Sequence, residues 1–80
     1  MTKDERFLIK LYELTGDSKR AICRFEIGRA IGQNDKGANI IARDLAQANF
    51  VKKGEGESVY LTDHGRRLVE SLKRSIPQGA

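Results

Sequence analysis

The sequence predicts an α+β fold: a three-helix core, a β-hairpin and a closing C-terminal helix in a single domain over residues 1–80. Three observations predict it. Four segments place apolar residues at the i, i+3, i+4 spacing of an amphipathic helix. The stretch FVKKGEGESVYL has β-branched and aromatic flanks around a glycine-rich tip, the pattern of a hairpin. Finally, 80 residues rarely contain two independent cores.

The first helix is predicted over residues 4–15, where Phe7, Leu8, Leu11 and Leu14 form an apolar stripe. Asp4 and Glu5 occupy the first turn, where the helix dipole favours acids, and Gly16 ends the helix. Ile9 and Tyr12 widen the apolar face, which suits either a broad core contact or a second subunit. Ala21, Ile22 and Cys23 then read as a brief strand or an extended lead-in, with Cys23 as a small buried hydrophobe.

A two-turn second helix is predicted over residues 25–31 from the spacing of Ile27, Ala30 and Ile31, with its stop at Gly32. After a polar turn, Asn34 or Asp35 caps a third helix whose inner stripe is Ala38, Ile41, Ala42 and Leu45. Its opposite face carries Lys36, Asn39, Ile40, Arg43 and Gln47. Asn49 falls where a helix often ends in a left-handed residue, and Phe50 folds back onto the last turn. The hairpin occupies residues 50–61. Thr62 caps the last helix, residues 62–76, whose buried stripe is Leu61, Gly65, Leu68, Val69, Leu72 and Ile76, and Pro77 stops it.

Composition narrows the function classes. Hydrophobic content of 39% with 32% charged residues belongs to a globular protein rather than a disordered one. No apolar run approaches the roughly 18 residues of a membrane span, and MTKDERF is too acidic and polar for a signal peptide, so a cytoplasmic protein without membrane contact is expected. One cysteine and one histidine assemble neither a disulfide nor a metal site, and no cofactor is expected. There is no nucleophile with its base, no phosphate-binding glycine loop and no usefully spaced carboxylate pair, so no enzyme is expected.

The net charge is +4, and its placement matters more than its size. Residues 1–17 sum to −1, whereas residues 18–53 sum to +5, so the basic character belongs to the middle of the chain. An anionic partner for that middle is the natural expectation.

Three helices with a short turn between the second and third, then a hairpin and a closing helix, give the order of a winged helix-turn-helix: helix-turn-helix at about 24–49, wing at about 50–61. Residues 25–72 resemble the DNA-binding core of the MarR-like winged-helix regulators. FEIGRAIG is similar to the family's second helix, NIIARDLAQANFVKK to its recognition helix running into the first wing strand, and LTDHGRRL to its recurrent LTxxGxxL. The resemblance implies a sequence-specific duplex DNA-binding protein, non-catalytic, that regulates transcription as a homodimer. The family's flanking helices, which build its dimer interface and often an effector pocket, are shortened or missing within these residues, so no small-molecule effector is expected. Glu55 and Glu57 stand near the wing tip where the family commonly carries arginine, and Asn49 stands where it often has glycine.

An α-helix fits the major groove, and Asn pairs bidentately with adenine as Arg does with guanine. The expected DNA-binding residues are therefore Asn34, Lys36, Asn39 and Arg43 on the third helix, with Ile40 positioned for a thymine methyl. Arg24, Lys52 and Lys53 are expected phosphate contacts, which require charge more than shape. The rival expectation is a winged-helix protein-interaction module without DNA binding, favoured by the acidic wing tip; structured RNA is a third partner class, recognised by shape and the 2′-hydroxyl.

Overall fold

A computed structural model describes residues 2–16, 18 and 20–75. Among these, the chain forms an α+β domain of four helices and a three-stranded antiparallel sheet, compatible with a winged helix. The order is α1 (Lys3–Thr15), β1 (Ile22–Cys23), α2 (Arg24–Ala30), α3 (Asp35–Gln47), β2 (Val51–Lys53), β3 (Ser58–Leu61) and α4 (Asp63–Ser75). Strand β3 is central, with β1 and β2 on its two sides. The hairpin therefore gains a third strand: Ile22 pairs with Val59 and Cys23 with Ser58. That strand supplies part of the support a two-stranded ribbon lacks in water.

Several helix ends are closed by their own local sequence. Thr2 and Glu5 form a capping box on α1: the Thr2 amide donates to Glu5 Oε1 (2.8 Å) and the Glu5 amide to Thr2 Oγ1 (3.2 Å). The first of these bonds, then the Thr2 hydroxyl, holds the Glu5 carboxyl below its ordinary range. Both α2 and α3 stop in a paired 6→1 and 5→2 arrangement. Gln33 N donates to Gly28 O and Gly32 N to Arg29 O after α2; Phe50 N donates to Leu45 O and Asn49 N to Ala46 O after α3. The left-handed residue is Gly32 (φ 80°) in one case and Asn49 (φ 66°) in the other.

The core joins Phe7, Leu8 and Leu11 of α1 to Ile27, the Ala38–Ile41–Ala42–Leu45 stripe of α3, Val51, Val59, Leu61 and Val69. Ile9 and Tyr12 pack against it half-buried, and Lys73 Nζ lies 5.3 Å from the Tyr12 ring centroid. Helices α2 and α3 touch where neither has a long side chain: a Cβ at Gly28 would stand 2.5 Å from Ala38 Cβ. Of the stripe expected for the last helix, Leu61 is buried at the end of β3, Gly65 and Val69 are buried in α4, and Leu68 and Leu72 are half-buried.

Three expectations differ from what is observed. Leu14, placed on the α1 stripe, is 43% exposed, because it lies on the last turn beyond the reach of the opposing elements. Helix α2 begins one residue earlier and ends one residue earlier than its spacing predicts; Gly28 is the residue packed against Ala38 of α3, and Ala30 faces solvent. Cys23 is half-exposed, since β1 is an edge strand. Ile76 and Pro77 lie outside the described residues. Among the described residues, no helix is long and apolar enough to cross a membrane.

Candidate nucleic-acid interface

Amphipathicity fixes what α3 displays. Because its 3.6-residue period buries Ala38, Ile41, Ala42 and Leu45, the residues between them must face outward. Lys36, Asn39, Ile40 and Arg43 are all exposed, Ile40 at 42%. Asn34, also exposed, is committed to the helix itself: its Oδ1 accepts from Gly37 N at 2.8 Å, leaving its Nδ2 as the outward donor.

The hairpin flanks this face. A groove of about 230 Å³ runs between α3 and the sheet, with Arg24, Asn39, Arg43 and Lys53 on its walls and Ala42, Ala46 and Val59 among its lining. The short side chains leave a shallow apolar floor beneath polar donors. Lys52 and Lys53, expected together at the hairpin base, separate. Adjacent strand residues point to opposite faces, and Lys53 turns toward Arg43 while Lys52 turns to the far side of the ribbon. There it lines a second hollow of about 290 Å³ with Asn49, Tyr60, Thr62 and His64. His64 is exposed and stacks on Phe50, ring centroids 4.8 Å apart and planes within 9°.

The basic residues divide by whether their charge is already spent. Among the described residues, no hydrogen bond or ion pair engages the side chain of Lys36, Arg43, Lys52 or Lys53. Arg24 is the opposite case. Its Nε donates to the Glu57 carbonyl (3.1 Å), Nη2 pairs with Glu57 Oε2 (3.6 Å) and Nη1 donates to Asn39 Oδ1 (2.6 Å). The backbone amide of Arg24 also donates to Glu57 O (3.0 Å), so helix α2, helix α3 and the β2–β3 hairpin meet at this arginine. Arg29 pairs with Asp35 across the turn at 3.5 Å, an exposed bridge of small energetic weight.

Sequence reasoning missed two features here. Glu57 neutralises Arg24 instead of simply opposing phosphate, and Asn39 is held by a neighbouring arginine. The opposite charges of Arg24 and Glu57 were visible, but they are separated by 33 residues, and only the β1–β3 pairing brings them together. Among the described residues, no group of three or more His, Cys, Asp or Glu side chains is placed to hold a metal ion. No protein-family model matches the chain, nor does any curated protein or solved structure.

Proposed function

We propose that this chain is a winged helix-turn-helix domain resembling the MarR-like regulators: a cytoplasmic, sequence-specific duplex DNA-binding protein that regulates transcription without catalysing a reaction. The observation that carries this reading is the outward face of α3. Lys36, Asn39, Ile40 and Arg43 share it, and Lys53 approaches Arg43 from the hairpin. These residues supply hydrogen-bond donors for base edges, an apolar contact for a thymine methyl and uncommitted positive charge for phosphate.

Binding to a labelled duplex measured across salt concentrations tests it. A DNA reader loses affinity linearly in log–log form as counterions are released, with a slope set by the number of phosphates neutralised. Selection from a random duplex pool then tests specificity. A two-fold symmetric motif with half-sites about 34 Å apart is expected if the protein acts as a homodimer through α1 and the end of α4. Half-buried Ile9 and Tyr12, which widen the apolar face of α1, support that contact, and sedimentation checks it.

A second reading, a protein-interaction module, is favoured by one observation: the wing carries exposed Glu55 and Glu57, and Glu57 consumes the positive charge of Arg24. Absence of salt-dependent duplex binding selects this reading.

A further inference from the structure

The Arg24–Glu57–Asn39 cluster does more than join three elements. A guanidinium carries donors only, so the Asn39 amide must turn its oxygen to Arg24, and its NH₂ group then has one orientation. The arginine is itself fixed: its side chain is 12% exposed, and two of its nitrogens are held by Glu57, through the carbonyl and the carboxylate. A surface asparagine normally samples several rotamers, each presenting a different pattern to a base. Here one rotamer is selected before any ligand arrives.

We propose that Arg24 is a positioning residue for base readout, holding the Asn39 amide in the single orientation in which it meets a base edge. This inference rests on the DNA-binding reading above, and it assigns Arg24 a role other than the phosphate contact expected from its charge. The charge argument supports the change of role. An arginine already paired with a carboxylate gains little by exchanging it for a phosphate, and the exchange would leave Glu57 unpaired beside a polyanion. Base-directed residues gain specificity when their supporting shell locks them, because the cost of ordering the side chain falls before binding.

The test compares wild type, Arg24→Gln, Asn39→Ala and the double variant on the duplex selected by wild type and on its single-base-pair substitutions. Asn39→Ala is expected to abolish discrimination at one base pair. Arg24→Gln should weaken discrimination at that same base pair by about two- to tenfold, the range expected for freeing one side chain. The double variant should be no worse there than Asn39→Ala alone, the mark of two residues acting as a unit. The salt slope of Arg24→Gln should equal that of wild type.

A slope smaller by about one unit with discrimination intact makes Arg24 a phosphate contact and overturns the inference. Equal loss of discrimination at every base pair overturns it as well, because that is the signature of a distorted fold. A second measurement needs neither DNA nor the Gln variant. In the free protein the Asn39 side-chain amide should be rigid on the ps–ns timescale by ¹⁵N relaxation, and Arg24→Lys, which keeps the charge, should loosen it. An amide equally mobile in both proteins overturns the inference alone. A rigid amide in a wild-type protein that binds no duplex overturns the DNA-binding reading, and the readout role with it.

Discussion

Gly65 in the first turn of α4 lies directly beneath the backbone carbonyl of Phe50. A Cβ there would collide with Phe50 O, and it would meet Phe50 C at 3.0 Å and Leu61 Cδ1 at 3.1 Å. The obstacle cannot swing aside, because the Phe50 carbonyl accepts the Thr62 amide (3.1 Å) and the Phe50 amide is bound to Leu45 O (2.9 Å). This close approach is the physical reason for glycine in LTDHGRRL.

Gly65→Ala is accordingly expected to destabilise the protein. Alanine gains roughly 1 kcal/mol over glycine in a helix, but overpacking against fixed backbone costs about 1–3 kcal/mol or more. Urea denaturation should show the loss. An unchanged midpoint would mean that α4 can slide away from Phe50 at no cost.

Thr62 stitches the same corner from the other side. Its hydroxyl accepts from Gly65 N (3.0 Å) and donates to Asn49 O (2.7 Å), with Phe50 O also within 3.0 Å, so one side chain closes the start of α4 against the end of α3. Thr62→Ala should cost about 1–2 kcal/mol, the upper part of the range for a lost cap, because a second bond goes with it. Thr62→Ser should retain most of the stability, whereas Thr62→Val, which keeps the volume, should resemble alanine.

Asn49 completes this junction in the left-handed conformation. Asn49→Ala should lower stability by about 1 kcal/mol, since a Cβ without a local hydrogen-bonding side chain pays the steric cost in full. For a domain of this size that corresponds to roughly 4–8 °C in Tm. Asn49→Gly should stay within about 0.5 kcal/mol of wild type, because relief of strain is offset by the freer unfolded chain. Equal Tm values for Ala and Gly would show that the left-handed cap carries no cost.

How much of this was legible follows from the range over which each signal acts. The α3 stripe, the Asn34 and Thr62 caps and the Asn49 stop are encoded within one or two helical turns, and all four are observed. Leu14 and Ala30 defeat the same logic, because periodicity gives the angle around a helix axis and says nothing about how far along it the neighbouring elements extend. At the candidate interface, Lys36, Asn39, Ile40 and Arg43 could be read as one face. The 15-residue link from Arg24 to Asn39 and the division of Lys52 from Lys53 depend on tertiary packing and strand registration, which local patterns do not carry.

That division distinguishes the two lysines experimentally. If the duplex lies along the outward face of α3, Lys53 stands on its side of the ribbon, beside Arg43, and Lys52 does not. Lys53→Ala should then weaken binding to selected and random duplex alike and reduce the salt slope by about one unit, the signature of one fewer released counterion. Lys52→Ala should leave the slope unchanged. Arg43→Ala should behave differently from both, costing about 1–3 kcal/mol on the selected duplex and far less on random sequence, because a base contact is worth its energy only where the base is right. All three side chains are exposed and none has a described partner, so folding stability should move by no more than about 0.5 kcal/mol and any loss can be assigned to contacts. A slope that falls for Lys52→Ala and not for Lys53→Ala would put the duplex on the far face of the ribbon, near His64. Wild-type binding by all three variants would leave α3 without a reading role, and the protein-interaction module would then be the better account of this surface.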